Sequence, residues 1–212
     1  MTDSVERIAE FCAQNQLPWD EVAAERLALY LELLQHFNGT MNLIGPLSER
    51  EVVDQLLIDS LTAAAVAEPA GAIMDVGAGA GLPGIPLACL YPDLSVTLVE
   101  PRRKRNTFLK IIQTRLELDD VELVHERLED TPGGPFDYVI AKAFQPPLEW
   151  IETASAWRSD DGVVVCMTRP GERAELEKKA AELGLEPVGA CDDTTKLGAP
   201  VSEGVRAVYA FG

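Results

Sequence analysis

The segment Asp75-Val76-Gly77-Ala78-Gly79-Ala80-Gly81-Leu82-Pro83-Gly84 puts four glycines into ten residues, between two short apolar runs. Glycine takes positive φ without steric cost and lets the backbone approach a ligand closely. If the second run is a helix, its first amides are free for a polar or negative group. Pro83 and Pro86 then fall near a helix start, where a missing N–H costs little. Two registers compete inside the segment. Gly79 to Gly84 matches G-x-G-x-x-G, but it begins two residues late, because the preceding run already ends at Gly77. Asp75 followed by Gly77, Gly79 and Gly81 matches an acid plus G-x-G-x-G and fits the end of that run.

The first register is the dinucleotide fingerprint of NAD. The second is the pattern of the S-adenosylmethionine (SAM) turn in Rossmann-like methyltransferases, so SAM is the expected cofactor, on Gly77, Gly79 and Gly81. Glu100 closes the next apolar run, where a carboxylate binds ribose hydroxyls. Leu128 and Glu129 follow the third run. There an apolar residue can sandwich adenine and a carboxylate can accept its amine; on spacing alone Glu129 reads better as a solvated acid between Glu126 and Asp130. Lys142 ends the fourth run. It either pairs with the cofactor carboxylate or a target phosphate, or is a surface lysine, and position does not choose. Enzymes that methylate exocyclic amines carry Asn/Asp-Pro-Pro-aromatic after this strand. Gln145-Pro146-Pro147 comes late and lacks the aromatic, so it reads as a loop and exocyclic amine transfer is disfavoured. Phe144 reads as a base-stacking residue or as core.

These residues need strands to carry them and helices to cover the strands. Residues 1–67 read as helical: Leu27, Leu31 and Leu34 recur at helical spacing, Pro18 marks a start and residues 37–42 a break. A further helix spans roughly 49–67, ended by Pro69 and Gly71. From residue 72 apolar runs at 73–76, 96–99, 121–124, 136–140 and 162–166 read as strands. Helices follow from 86, over 103–116 and over 172–183, and two closing strands near 187–191 and 205–211 end the chain. Strands separated by helices imply right-handed βαβ units and a mainly parallel sheet. The fold class is α/β, a Rossmann-like SAM-dependent methyltransferase fold with a mainly parallel seven-stranded sheet, an antiparallel edge and N-terminal helices. The expected organisation is a helical segment, 1–67, and a SAM-binding core, 68–212, in one compact unit.

At 212 residues, 47% hydrophobic and 6% aromatic, the chain suits one α/β domain. A net charge of −17 taken alone argues against nucleic acid. Yet Arg102, Arg103, Lys104, Arg105, Lys110 and Arg115 place six of 18 basic residues within 14 positions, and a basic patch on an acidic body is compatible with RNA. Cys12, Cys89, Cys166 and Cys191 are dispersed and His36 and His125 stand apart from them, so the thiols read as reduced and no metal is expected. The first residues are polar and no apolar run approaches the roughly 18 residues of a membrane span; the expected location is the cytoplasm, with no membrane partner.

Asp75-Val76-Gly77 with Gly81-Leu82-Pro83-Gly84-Ile85-Pro86-Leu87 is joined by Asn42-Leu43, Asp59-Ser60-Leu61, Lys104-Arg105 with Phe108-Leu109, Arg127-Leu128-Glu129, Phe136-Asp137 and Ala143-Phe144. Through these residues the sequence, over 28 to 208, resembles the bacterial small-subunit rRNA guanine-N7 methyltransferases, also called glucose-inhibited division protein B. The resemblance implies methyl transfer from SAM to N7 of one guanine in 16S rRNA. The implied partner is the small ribosomal subunit or an assembly intermediate; a monomer is the expected state, which the resemblance itself does not imply. Cofactor contacts are implied at Gly77, Leu82, Leu128, Glu129 and Lys142. The resemblance places Lys104 and Arg105 on the basic face, and the charge cluster adds Arg102 and Arg103 as candidate RNA contacts. Asn42, Asp59 and Lys142 are the candidates for holding the base or the N-terminal segment. The sequence departs from the family at Gln55-Leu56, where Arg-His is usual, and at Lys142, where the family has Arg. It departs again at Ile44, where Thr is usual, and at Thr168-Arg169-Pro170, where Lys-Gly is common. Lys keeps the charge of Arg but not its fork. Guanine N7 carries a lone pair and no proton, so its methylation needs positioning and desolvation rather than a general base. Because N7 lies in the deep groove of A-form RNA, the target belongs in a loop or an incompletely folded subunit. Other readings keep the fold and change the acceptor to another RNA or a small molecule, or keep only SAM binding in a ribosome-associated module. An NAD-dependent oxidoreductase would lack a convincing proton donor.

Overall fold

Val, Ile and Leu fill the short runs after residue 71, and β-branched side chains suit a pleated, buried strand. In the computed structural model, which describes residues 2–131, 134–200 and 206–212, these runs form a seven-stranded sheet in the order β3-β2-β1-β4-β5-β7-β6. The strands are β1 (Ala72–Val76), β2 (Ser95–Val99), β3 (Val121–Val124), β4 (Phe136–Ala141), β5 (Arg158–Thr168), β6 (Pro187–Cys191) and β7 (Ala207–Phe211). β1 to β5 pair in parallel, and β7 runs antiparallel to both β5 and β6. The parallel sheet and the antiparallel edge are as the sequence implies. Val205, expected in the last strand, lies outside the described residues. The strand order reverses between β1 and β4, and open sheets of this kind bind ligands beyond the carboxyl ends of the strands at the reversal.

Before the sheet come α1 (Thr2–Gln14), α2 (Glu21–Met41), α3 (Glu49–Val52) and α4 (Ile58–Val66), with a π-helical turn, Val53–Leu57, between the last two. α5 (Gly84–Leu90), α6 (Arg103–Arg115), α7 (Pro147–Ser155) and α8 (Arg173–Glu182) alternate with strands. Leu27, Tyr30 and Leu34 of α2 share one apolar cluster with Leu61 of α4, Ile85 of α5 and Phe108 of α6. Trp150 and Ile151 of α7 and Leu176 of α8 form the cluster on the other face. Ile73, Val96 and Tyr138 point into the first cluster, and Met74, Val139 and Val164 into the second, the mark of strands buried on both faces.

Three expectations about elements change. α2 does not break at Phe37-Asn38-Gly39 but continues to Met41. Its stop is Asn42, left-handed at φ 52, and the Asn38 side chain accepts from the amides of Leu43 and Ile44, both at 2.9 Å. The helix expected over 49–67 is interrupted by the π-helical turn. Gln145-Pro146-Pro147 is not simply a loop, because Pro147 opens α7, a position where proline's missing N–H is no loss.

Candidate active site

β1 delivers Asp75 to the carboxyl edge of the sheet, fully buried. Its Oδ2 accepts from the Gly84 amide at 2.8 Å, while Oδ1 is buried without a partner. Burial pushes the Asp75 carboxyl up to about 7, helped by the charge of Glu100 and opposed by the Gly84 amide and Lys142. The glycine turn hooks onto β2: the amides of Gly77 and Ala78 donate to the Val99 carbonyl at 2.8 and 3.1 Å. Gly77, Gly79 and Gly81 take φ of 70, 62 and 93, a region side chains rarely enter. A Cβ on Gly81 would lie 2.5 Å from Ile85, and one on Gly77 would lie 2.9 Å from the ring of Phe144.

Glu100, at the tip of β2, is 2% exposed. It accepts from the Gly79 amide at 3.0 Å and from the Arg102 amide at 2.7 Å, and the Arg105 guanidinium stands 3.6 Å away. The glycine turn and the expected ribose carboxylate are thus one hydrogen-bonded unit. Tyr30 of α2 braces it from behind: its buried hydroxyl donates to the Ala80 carbonyl at 2.9 Å. Leu82 is buried. Leu128 packs with Val76, Val99 and Val124 at the strand ends, and Glu129 is exposed in the following 3-10 turn.

The end of β4 makes a second unit. The Lys142 ammonium donates to Asp59 Oδ2 at 2.7 Å, to the Leu56 carbonyl at 3.2 Å and to the Gln55 carbonyl at 3.4 Å. An ammonium has three hydrogens, so all of its donors are spent within the protein. Both carbonyls belong to the π-helical turn, a feature frequent at functional sites. Burial pulls the Lys142 pKa down and the charge of Asp59 holds it up. The arrangement matches neither positional reading: Lys142 is not a free surface lysine, and its donors are engaged by Asp59, Leu56 and Gln55 rather than left open for a cofactor carboxylate or a phosphate. Ala143 follows at φ 54 and turns Phe144 back over Gly77. Phe144 is 41% exposed and so is not core; its ring meets Trp150 edge-on, with centroids 6.0 Å apart.

The structure therefore joins Asp59 with Lys142, and Gly79 with Glu100 and Arg105. It leaves Asn42 exposed as the helix-ending residue of α2, and Arg102, Arg103 and Lys104 exposed at the start of α6. Tyr30 was missed from sequence, although a lone tyrosine on a leucine-rich helix face is a buried ring that needs a hydrogen-bond partner. The residues present fit SAM. Its ammonium and ribose hydroxyls are donors, and the turn offers buried acceptors in the unpartnered Asp75 Oδ1 and the Glu100 carboxylate. Among the described residues no group of His, Cys, Asp and Glu could hold a metal, and no helix is long and apolar enough to cross a membrane.

A sheet of this strand order, with a glycine turn after β1 and a carboxylate at the tip of β2, defines a Rossmann-like SAM-dependent methyltransferase. The structure of M. jannaschii TYW2 in complex with AdoMet shares the fold at a TM-score of 0.51 and 17% identity, covering 66% of each chain. The model of the family rRNA small subunit methyltransferase G matches residues 23–191. The ribosomal RNA small subunit methyltransferase G of Anaeromyxobacter dehalogenans strain 2CP-1 is 38% identical over 197 residues, 91% of this chain and 89% of that protein. The Halorhodospira halophila protein of the same name is 36% identical over 177 residues, 84% of this chain and 82% of its own length. The chain belongs to the rRNA small subunit methyltransferase G family.

Proposed function

We propose that this protein transfers the methyl group of SAM to N7 of a guanine in 16S rRNA, acting in the cytoplasm as a monomer on the small ribosomal subunit or an assembly intermediate. The observation that carries the choice of N7 is the state of the buried carboxylates around the site. Asp59 is paired with Lys142, and Glu100 and Asp75 each accept from backbone amides. Asp59 and Glu100 are engaged and Asp75 is fully enclosed, so no carboxylate presents a free base to an acceptor, and a ring nitrogen with a lone pair needs none.

SAM supplies an electrophilic methyl group on a sulfonium. Gly77, Gly79, Gly81 and Leu82 hold the cofactor along the turn, Glu100 binds its ribose, and Leu128 and Glu129 frame its adenine. Lys142 and Asp59 act as positioning residues that tie the π-helical turn to the end of β4. Asn42 orients the end of α2, and Arg102, Arg103 and Lys104 meet phosphates, while Arg105 is shared with Glu100. Catalysis then rests on holding the acceptor nitrogen in line and on excluding water. The test is methyl transfer from radiolabelled SAM to small subunits from a strain lacking the endogenous N7 methyltransferase, with modified subunits as control. Label confined to unmodified rRNA and mapped to guanine N7 by strand scission is expected. SAM binding without label on any subunit would overturn the reading.

A further inference from the structure

A cavity of about 350 Å³ opens at the ends of β4 and β5 and the start of β7, lined among others by Asp59, Lys142, Gln145, Arg169, Glu172 and Arg206. Its size lies within the range of small-ligand pockets. It stands across the strand-order reversal from Glu100 and Leu128, and residues 142–144 connect it to the glycine turn, since Phe144 lies against Gly77. Most polar groups around it are already engaged. Asp59 and Lys142 hold each other, and Glu172 accepts from the Thr168 hydroxyl. Three are not. The amide oxygen of Gln145 is buried with no hydrogen-bond partner. The side chains of Arg169 and Arg206 belong to exposed residues, and neither guanidinium forms an ion pair or hydrogen bond with other described residues, the one bond of Arg206 being its carbonyl accepting from the Thr194 amide at 3.0 Å.

We propose that this cavity takes the acceptor guanosine, that Gln145 reads the Watson–Crick edge of its base, and that Arg206 and Arg169 hold the adjoining phosphate. The proposal rests on the guanine-N7 reading above. A buried acceptor without a partner is costly, and a ligand donor removes the cost. Gln145 lines the cavity, and the last torsion of a glutamine side chain is soft, so the binding we propose needs only a turn of the terminal amide. Guanine carries two adjacent donors, N1–H and the N2 amine, on the edge away from N7. Gripping that edge leaves N7 free to face the glycine turn. Free guanidiniums bind phosphate oxygens bidentately, and the spent ammonium of Lys142 does not compete for this task. The sequence treats Gln145 as loop, because its partnerless amide appears only when α7 folds the segment back over the sheet end.

The experiment is steady-state methyl transfer by the full chain to unmethylated small subunits, reconstituted with either guanosine or inosine at the target. Inosine keeps N7 but lacks the N2 amine. Removing one partner of a specific base contact is worth roughly tenfold or more. The wild type is expected to favour guanosine by roughly that factor. Gln145→Leu should lose this preference and drop in kcat/KM on guanosine subunits, with the SAM dissociation constant unchanged. Gln145→Glu, which keeps an acceptor, should retain preference for guanosine. Arg206→Ala should raise the subunit KM more than it lowers kcat and flatten its salt dependence. If wild type labels N7 but Gln145→Leu discriminates against inosine as the wild type does, the assignment of Gln145 is wrong and the function stands. If wild type labels no guanine N7 at all, the functional reading fails and the assignment falls with it.

Discussion

Replacing Lys142 with methionine keeps the apolar stem and deletes the ammonium. The structure sets the size of the loss. Asp59 and Lys142 have side chains 10% and 17% exposed, so water replaces little of what is removed. Asp59 is left as an uncompensated buried carboxylate, and the Gln55 and Leu56 carbonyls of the π-helical turn lose their donor. Breaking one partner of a buried pair costs about 3–5 kcal/mol. For a chain of this size each kcal/mol lowers Tm by about 2–4 °C, so Lys142→Met should melt about 6–20 °C below wild type. Asp59→Asn and the double variant complete the cycle. The second change should cost much less in the presence of the first, with a coupling of about 1–3 kcal/mol. The assay is thermal unfolding by circular dichroism, alongside calorimetric SAM binding below the transition. A strut should leave SAM affinity within a few-fold of wild type. Unchanged Tm, additive single and double losses, or a collapse of SAM affinity without loss of stability would each refute the strut and return Lys142 to direct contact with the cofactor or a phosphate.

Tyr30→Phe keeps the ring and strands the Ala80 carbonyl under the glycine turn; a buried group left unpaired costs about 1–3 kcal/mol, so calorimetry should show a several-fold weaker SAM dissociation constant, and equal affinity would remove the brace from the account. Gly81→Ala places a Cβ 2.5 Å from Ile85 at φ +93; it should cost about 1–3 kcal/mol of strain or more and weaken SAM binding, read by thermal shift with and without cofactor. Burial pushes the Asp75 carboxyl from its ordinary 3.8 up to about 7. A raised folded pKa means that its contribution to stability is complete below about 3.8 and is lost as pH rises through about 7. Urea unfolding of the free protein should therefore show wild type losing more stability between pH 5 and pH 8 than Asp75→Asn does; parallel losses would show that Asp75 does not titrate there.

What could be read in advance divides along physical lines. The glycine turn is legible because its demand is local: Gly77 and Gly81 combine positive φ with neighbours that a Cβ would meet under 3 Å, which favours glycine there, and Asp75 and Glu100 lie at the ends of apolar runs. The parallel strands are legible because burial on both faces leaves continuous apolar runs. Lys142 is not, because its three acceptors lie 83 to 87 positions away in sequence and depend on a π-helical turn that no residue type announces. Ala143 takes a left-handed conformation without being glycine, so the redirection of Phe144 leaves no trace in composition. α7 was hidden by its own start signal, since Gln-Pro-Pro suggests a loop as readily as a helix that begins on proline. Asn38 and Gly39 read as a break, yet the helix continues until Asn42, where the side chain of Asn38 satisfies the next amides.

The net charge of −17 and a polyanionic substrate are reconciled by range. Charges separated by more than about 8 Å are largely screened at physiological salt, so the acidic body matters less than what surrounds the site. Arg103 and Lys104 stand in the first turn of α6, which has no acidic residue. Cations at a helix N-terminus oppose the macrodipole at about 0.3–1 kcal/mol each, so helix stability does not explain their place. Both follow directly after β2 and Glu100, at the carboxyl edge of the sheet. Arg169 and Arg206 reach the same edge by another route, at the end of β5 and just before the antiparallel β7. Exposed cations thus flank the glycine turn on one side and the acceptor cavity on the other. A phosphate chain attracted to both is drawn across the gap where strand order reverses. On the proposed reading, the topology that makes the cofactor crevice also sets the path of the RNA over it.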